Sequence, residues 1–263
     1  MGSRHVVHHL EHVMGTVVTI DIYSQFDGPS DGVRHEVEEA VNLLHLADTV
    51  FSTWNADSPM SRLRRGEIIL AQAPSEMAEV LEACAIAREF SDGWFDPWSM
   101  PGGVDPTGYV KGWAAQRALG VLQSNDIVGA MVNAAGDIAS RGGMSQSIPF
   151  RVGISDPHQP TQLACVVELT GAIATSGTYE RGAHLIDPQS GLPAARVASA
   201  TVTGPELGLA DALATAVAVA GDSGLKFVQA IENYEALIID LEGCLRWTDH
   251  FPFAPPSTAQ QSC

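Results

Sequence analysis

The segment LGLADALATAVAVAG, residues 207–221, contains one charged side chain, Asp211, among leucine, alanine and valine. This composition predicts a helix that is apolar on all sides, and such a helix lies inside a core rather than on a surface. Other segments of the chain have helical or strand patterns, and several of the strands follow one another directly. We therefore expect an α+β fold with this helix in its core.

The rest of the chain predicts a single domain over residues 1–263, with its core at about 12–245 and a frayed Pro-, Ser- and Gln-rich tail at 250–263. Residues 92–110 carry four glycines and three prolines, which predicts irregular structure. Apolar spacing predicts further helices at 31–51, 75–93, 111–125 and 224–234, with Asp31 capping the first. Strand patterns occur at 15–23, 127–137, 150–157, 164–177, 198–204 and 235–243.

The chain is acidic, because 14 Lys and Arg residues oppose 31 Asp and Glu residues and the net charge is −17. A nucleic-acid partner needs a basic surface, so this balance argues against one. An anionic ligand would need local compensation from a metal ion, a lysine or a helix N-terminus. No apolar run approaches the about 20 residues of a membrane helix, and the N-terminus has no secretory pattern. We therefore expect a cytoplasmic protein without a membrane partner, and its four dispersed cysteines fit cytosolic thiols.

Two patterns known from enzymes occur in the chain, and both have a simpler interpretation. His8 to His12 spell H-x-x-E-H, the inverted zinc-protease pattern, which requires a helix. The flanking valines favour a strand, which would separate the side chains, so a solvent-facing histidine strip is preferred over zinc. GDSG at 221–224 resembles a serine-protease segment, but Asp222 or Ser223 would simply cap a helix there. The chain has no dinucleotide-binding or P-loop glycine pattern.

Asp211 and Thr215 lie four residues apart and therefore on one face of the apolar helix. A buried carboxylate is costly unless it is paired or binds a metal, and the helix contains no Lys or Arg. A carboxylate and a hydroxyl one turn apart predict part of an Mg²⁺ site. An Asp211 that caps the helix or faces solvent is the alternative.

A second polar group occurs in GGVDPTGYVKGWAAQ, residues 102–116, where Asp105, Gly108 and Lys111 are spaced by three. One interpretation is a turn in which Asp105 or Thr107 caps the next helix and Gly108 has a positive φ. The other adds a backbone carbonyl for a metal and a lysine for a phosphate, close to a helix N-terminus. The residues alone leave both open.

Seven segments over residues 12–221 resemble, in chain order, the ApbE family of FAD:protein FMN transferases. They are VMGTVVTIDI, FSTWNADSPMSRL, GWFDPWSMP, VDPTGYVKGWA, VNAAGDIASRGG, AIATSGTYERGAHLIDPQSGLPA and TVTGPELGLADALATAVAVAG. The resemblance implies two packed α/β halves with FAD in the cleft between them. It also implies that Mg²⁺ meets the FAD pyrophosphate while a Ser or Thr hydroxyl of an acceptor protein attacks the phosphorus on the FMN side and releases AMP.

The resemblance also assigns roles to individual residues. It assigns the metal to Asp211, Thr215 and the backbone carbonyl of Gly108. The loop at 174–191 becomes one wall of the FAD pocket, and its own hydroxyls shape that pocket. By residue type His184 is the best candidate for the catalytic base, with a structural or flavin-contacting role as the alternative. The contacts with FAD fall to Met14, Trp54, Trp94, Phe95, Asp96, Asp105, Lys111, His184 and Leu185.

The sequence departs from the family pattern at several points. Only eight residues separate Asp96 from Asp105, where the family commonly has a longer insertion that forms part of the cleft wall. Arg64 stands where Asn is common, Trp54 where Tyr is usual, and Ala135 where Gly is frequent. None of these changes removes a residue assigned to FAD or to the metal.

We therefore expect an Mg²⁺-dependent transferase that moves the FMN moiety of FAD onto a Ser or Thr of an acceptor flavoprotein and releases AMP. The alternatives are an FAD pyrophosphatase that yields FMN and AMP, and a carrier that binds FAD without turnover. The expected partners are FAD and the acceptor protein, with a homodimer as a further option. In this interpretation Asp211 is catalytic through the metal it holds.

Overall fold

The computed structural model describes residues 4–177, 185–194 and 196–255. Its helices are Asp31–Phe51 (α1), Pro59–Arg64 (α2), Ser75–Phe90 (α3), Thr107–Val121 (α4), Leu207–Ala220 (α5) and Asp222–Gln229 (α6). The strands are Arg4–Val13 (β1), Thr16–Ser24 (β2), Ile127–Ala134 (β3), Asp137–Ser145 (β4), Ile148–Asp156 (β5), Gln159–Leu169 (β6), Ala172–Gly177 (β7), Ser199–Gly204 (β8), Glu235–Ile239 (β9) and Leu245–Trp247 (β10). Short 3₁₀ turns occur at Leu70–Gln72 and Pro97–Ser99.

These strands form one sheet in the order β1-β2-β3-β4-β7-β8-β9-β10, and β5 joins it through β4 and carries β6. Every pairing between the described strands is antiparallel. Helices packed on an antiparallel sheet confirm the α+β class predicted from the sequence. None of the helices in the described ranges combines the length and apolarity that a membrane crossing needs.

The two faces of the sheet pack against different layers. On β9, Ile238 faces a large core that it shares with α1, α3, α4 and α5, whereas Leu237 and Ile239 face a smaller core on the other side. The smaller core also contains Phe150 of β5 and Leu169 of β6. Strand alternation therefore divides the molecule into a helical layer and a second core beneath the sheet.

Helix α5 is buried almost completely, as its composition predicts. All but two of its residues are buried, and it packs against α4, β7 and β8. Burial of each of its fully buried Val and Leu side chains contributes about 1.5–3 kcal/mol. The helix stops at Gly221, whose φ of +65° suits a residue without a side chain.

Two sequence-based expectations about where helices begin are wrong. Residues 107–110 are helical rather than irregular, because α4 begins at Thr107. The N-cap of α1 is Ser30, whose side chain accepts the Val33 N–H, and Asp31 is already in the helix.

The C-terminal segment is also packed as far as it is described. Phe251 is 6% exposed and belongs to the smaller core. The Glu168 N–H donates to the Pro252 carbonyl at 3.0 Å, and the Ala254 N–H donates to the Val166 carbonyl at 2.8 Å. The expected fraying of 250–263 is therefore wrong for 251–254, since Phe251 is buried and residues 252–254 pair with β6. Residues 256–263 lie outside the described part.

Candidate active site

A cavity of about 780 Å³ opens between the α1–α4 side of the molecule and the side formed by β7 and α5. Its volume lies within the range of small-molecule sites, about 300–1,000 Å³. His184, the candidate base, lies outside the described residues. The lining includes the other residues that the resemblance assigns to FAD or to the metal: Met14, Trp54, Trp94, Phe95, Asp96, Asp105, Gly108, Lys111, Leu185, Asp211 and Thr215.

Asp211, Thr215 and Gly108 meet in one corner of this cavity. Asp211 is 4% exposed, and the helix N-cap is Glu206, so Asp211 neither caps α5 nor faces solvent. Gly108 lies in the first turn of α4, and a Cβ added to it would lie 3.8 Å from Thr215 Oγ1. The positive φ expected for Gly108 in the turn interpretation is therefore wrong, because the residue is helical.

Ser176 at the end of β7 lies beside this corner. Its Oγ is 3.2 Å from Thr215 Oγ1, which orients the threonine hydroxyl. A carboxylate, a hydroxyl and a carbonyl supply oxygen ligands only, the set that Mg²⁺ prefers. The residues present therefore fit a magnesium ion.

The close crossing of α4 and α5 positions this corner. A Cβ on Gly112 would lie 2.5 Å from the Leu207 carbonyl oxygen, and one on Gly208 would lie 2.8 Å from the Tyr109 ring. Neither position has room for a side chain, so two glycines let the helix backbones approach each other. Because Gly108 and Gly112 are one turn apart, this approach also places Gly108 near Thr215.

Lys111 has a buried partner that the sequence interpretation missed. Asp137, 1% exposed, forms an ion pair with the Lys111 ammonium through Oδ2 and accepts the Thr175 N–H through Oδ1 at 2.9 Å. Asp137 follows the tight turn between β3 and β4, which pair as an antiparallel hairpin. The sequence did contain a sign that Asp137 is buried, because this aspartate begins a strand whose next residues are apolar or small.

Asp105 combines the two interpretations that the sequence left open. Its Oδ1 accepts the Thr107 N–H at 3.0 Å where α4 begins, so it does bind the helix terminus. Its Oδ2 lies 3.6 Å from Arg64 Nη1, and the residue also lines the cavity. Arg64 in turn donates to the Gly102 carbonyl at 3.1 Å and to the Pro101 carbonyl at 3.0 Å.

The aromatic residues of the lining differ in how much of each ring is open. Phe95 is 6% exposed, whereas Trp54 is 97% exposed and offers both faces to a ligand. The Arg196 guanidinium lies 4.9 Å above the Trp94 ring and covers one of its faces. Asp96 binds Arg88 Nε at 2.8 Å and the Trp98 N–H at 2.9 Å, which fixes the turn beneath the cavity.

Met14 enters the cavity from the tight turn between β1 and β2. Its φ is +54° and that of Gly15 is +68°, the combination that a two-residue type I′ hairpin requires. Ala135 has the same φ of +54° in the turn between β3 and β4. This left-handed backbone gives a physical reason why glycine is favoured at position 135.

The fold is that of solved flavin transferases. It matches the flavin transferase ApbE from Vibrio cholerae with a TM-score of 0.79, over 93% of this chain and 96% of that chain at 23% identity. The ApbE protein of Thermotoga maritima also gives 0.79, over 92% and 97% of the two chains at 23% identity. The flavinyl transferase ApbE of Pseudomonas stutzeri gives 0.76, over 95% and 97% at 22% identity.

The sequence comparison identifies the family. The ApbE family model matches residues 14–102 and 100–238, so the chain belongs to the ApbE family and the resemblance noted in its motifs is confirmed. Three curated relatives are each named FAD:protein FMN transferase. They come from Escherichia coli K12 (32% identical over 151 residues), Vibrio cholerae O1 (35% over 130) and Rhodobacter capsulatus (36% over 144).

The alignments with these relatives are partial. They cover 53%, 45% and 51% of this chain, and 43%, 39% and 27% of the three relatives in the same order. The matched region thus spans less than half of each curated relative.

Proposed function

We propose that this protein is an Mg²⁺-dependent FAD:protein FMN transferase, which moves FMN from FAD to a Ser or Thr of an acceptor protein and releases AMP. The main observation behind the proposal is that Lys111 lines the same cavity as the oxygen-lined corner of Asp211, Thr215 and Gly108. The names of the curated relatives support the same activity.

The metal-binding role falls to the corner of the cavity where α4 and α5 meet. Asp211, Thr215 and the Gly108 carbonyl would hold the ion, which when bound neutralises charge on the FAD pyrophosphate. This neutralisation matters because the chain carries a net charge of −17 and would otherwise repel an anionic substrate.

The proposed reaction is a phosphoryl-type transfer. The acceptor hydroxyl oxygen forms a bond to the phosphorus on the FMN side, and the bond from that phosphorus to the bridging oxygen breaks. AMP leaves with the bridging oxygen, and the hydroxyl proton passes to a base, for which His184 is the candidate. Such a reaction depends mainly on positioning and on stabilisation of charge.

Beside the metal corner, Lys111 and Trp54 would contribute to positioning the substrate and to stabilising its charge. Lys111 presents a point charge to a phosphate while Asp137 holds its ammonium in place. Trp54, fully open at the rim, would stack on a planar ring of the substrate.

A three-product assay tests the activity. The protein is incubated with FAD, Mg²⁺ and a peptide that carries a Ser or Thr acceptor, and AMP, free FMN and peptide-bound flavin fluorescence are followed together. AMP with a fluorescent peptide supports the transferase. AMP with free FMN indicates a pyrophosphatase, and binding of FAD without either product indicates a carrier.

Matched variants test the assigned residues in the same assay. Asp211→Asn should abolish Mg²⁺-dependent turnover, whereas Asp222→Asn, which changes an exposed acid at the start of α6, should not.

His184→Ala should lower transfer by about 10²–10⁴-fold if its imidazole is the base, with His35→Ala on the surface of α1 as the control. Near wild-type transfer in His184→Ala would remove the base assignment and leave the metal assignment intact.

A further inference from the structure

Three side chains converge on the β1–β2 hairpin, away from the cavity. His5 Nε2 lies 2.7 Å from Asp21 Oδ1, and His8 Nδ1 lies 2.8 Å from the same oxygen. The three candidate ligand atoms all lie within 4.8 Å of one another. Thr19 Oγ1 donates to the other carboxylate oxygen of Asp21 at 3.4 Å and so helps to fix its orientation.

A β-bulge brings the two histidines to one face of the strand. His5 and His8 are three residues apart, and in a regular strand they would point to opposite faces. The register shifts between His5 and Val7, which adds one residue to β1 opposite β2. His8 is then directly opposite Asp21 and His5 is opposite Tyr23, so both rings share the face of Asp21.

We propose that His5, His8 and Asp21 form a binding site for one transition-metal ion of the Zn²⁺ class, separate from the magnesium corner. Two imidazole nitrogens and one carboxylate oxygen make up the three-ligand set of open zinc sites, in which water completes the coordination. Ligand atoms around tetrahedral Zn²⁺ are about 3.3 Å apart, given bonds of about 2.0–2.1 Å. The two histidine nitrogens now lie 2.7 and 2.8 Å from Asp21 Oδ1. Small rotations of the two exposed rings would lengthen these distances to about 3.3 Å.

The chemistry of this site differs from that of the cavity. Imidazole nitrogen favours Zn²⁺, Ni²⁺ or Cu²⁺, whereas Mg²⁺ prefers oxygen ligands. The sites are also on different sides of the sheet, because Ile20 and Ile22 beside Asp21 face the helical layer that contains α5. Asp21 therefore faces the other side, and no residue of the proposed site lines the cavity.

The site is accessible and would have a mechanical effect on the fold. The side chains of His5 and His8 are 41% and 57% exposed, so an ion can reach them from solvent. β1 is the last strand at one edge of the sheet, and only β2 pairs with it among the described strands. An ion held by both strands would cross-link this edge and slow its opening.

Equilibrium dialysis against Zn²⁺ in excess Mg²⁺ tests the proposal, with all accessible thiols alkylated beforehand. The full chain should bind one Zn²⁺, and His8→Ala and Asp21→Asn should each lower the affinity at least about tenfold. Bound Co²⁺ should show a d–d absorption spectrum that both variants lose. Circular dichroism establishes that each variant is folded, and His8→Ala changes only an exposed side chain.

Two control variants locate the binding. His45→Ala removes a different exposed histidine, whose ring contacts Glu11 at 3.0 Å, and should leave Zn²⁺ affinity unchanged. Asp211→Asn should also leave it unchanged, which separates this site from the cavity. The proposal is overturned if the full chain binds no Zn²⁺ under these conditions, or if His8→Ala and Asp21→Asn bind it as tightly as the unmodified sequence.

Discussion

The carboxylate of Asp137 joins two parts of the cavity wall. One oxygen accepts the Thr175 N–H of β7, and the other pairs with Lys111 of α4. Because Asp137 is 1% exposed, little water surrounds its carboxylate to weaken the attraction between Asp137 and Lys111. The position of the Lys111 charge at the cavity therefore depends on a residue that itself stays outside the lining.

Asp137→Asn removes the negative charge of this side chain but keeps its size and shape. The amide oxygen can still accept the Thr175 N–H, but the ion pair with Lys111 is lost, so the ammonium is no longer held in place. If Lys111 positions the substrate as proposed, kcat/KM for FAD should fall on the order of 10²-fold. Steady-state assays at several FAD concentrations measure this effect, with exposed Asp57→Asn as the control. Equal kcat/KM for Asp137→Asn and the control would contradict the positioning role.

At this scale the sequence predicted the residues of the cavity but not their partners. The motifs predicted that Lys111, Asp211 and Thr215 belong to one site, and all three residues line the same cavity. The pairs Lys111–Asp137 and Ser176–Thr215 join segments distant in the chain, and such contacts leave no periodic signal in a single sequence.

Among the structural elements, the loop between Asp96 and α4 is bound by the Arg64 side chain as well as by its own backbone hydrogen bonds. This side chain is 15% exposed and donates to two carbonyls of the loop, those of Pro101 and Gly102. Arg64 is also one of the positions where the sequence departs from the family pattern, as is the short loop itself. The structure thus links the two departures, because the arginine fixes the shortened wall of the cavity.

Arg64→Asn should loosen this loop. Loss of two charge-assisted hydrogen bonds to backbone carbonyls should lower the free energy of unfolding by about 1–3 kcal/mol. Amide hydrogen exchange should accelerate at residues 102–105, and urea titration gives the change in stability. Arg62→Ala is the control, since its side chain is 47% exposed and its contact with Glu67 is 3.7 Å long. Unchanged exchange in the loop of Arg64→Asn would show that Arg64 does not hold it.

The crossing of α4 and α5 gives an element-scale prediction with an internal control. In Gly112→Ala the new methyl group meets the backbone of α5, so the helices must separate, and we expect a loss of about 1–3 kcal/mol in stability. Separation also moves Gly108 away from Thr215, so the Mg²⁺ concentration for half-maximal turnover should rise.

Gly120→Ala in the same helix is the matched control. A Cβ at Gly120 meets no atom within 4 Å, so alanine should stabilise the helix by about 0.5–1 kcal/mol and leave the Mg²⁺ requirement unchanged. Urea titration and Mg²⁺ titration of both variants measure these effects. Equal Mg²⁺ requirements in the two variants would mean that the crossing does not position the corner.

Elements were predictable where their signal is local. The burial of α5 follows from its composition. The valines around residues 8–12 predicted a strand rather than the helix of a zinc protease, and these residues do lie in β1. The bulge between His5 and Val7 and the packing of residues 250–255 on β6 depend on pairing with distant strands. The sequence alone therefore placed the histidines on a strand but not on a common face with Asp21.

At the scale of the whole molecule, the large core encloses groups that can ionise at high pH. Burial raises the pKa of the Cys84 thiol to about 12, from an ordinary value of 9.0. Burial also raises the pKa of the Tyr109 and Tyr234 hydroxyls. Each of these groups is neutral in the folded protein over a wider pH range than in the unfolded chain, so their ionisation favours unfolding.

The fold should therefore lose stability in alkaline solution. Since the folded pKa of Cys84 is the higher one, its contribution is complete below pH 9 and is lost as the pH rises from 9.0 towards about 12. Each pKa unit corresponds to about 1.4 kcal/mol, so the loss is on the order of a few kcal/mol. Urea titrations at increasing pH measure it. Cys84→Ala should flatten the dependence, although its stability at neutral pH falls, while exposed Cys244→Ala should not. A dependence equally steep in Cys84→Ala and Cys244→Ala would assign the alkaline loss to the tyrosines instead.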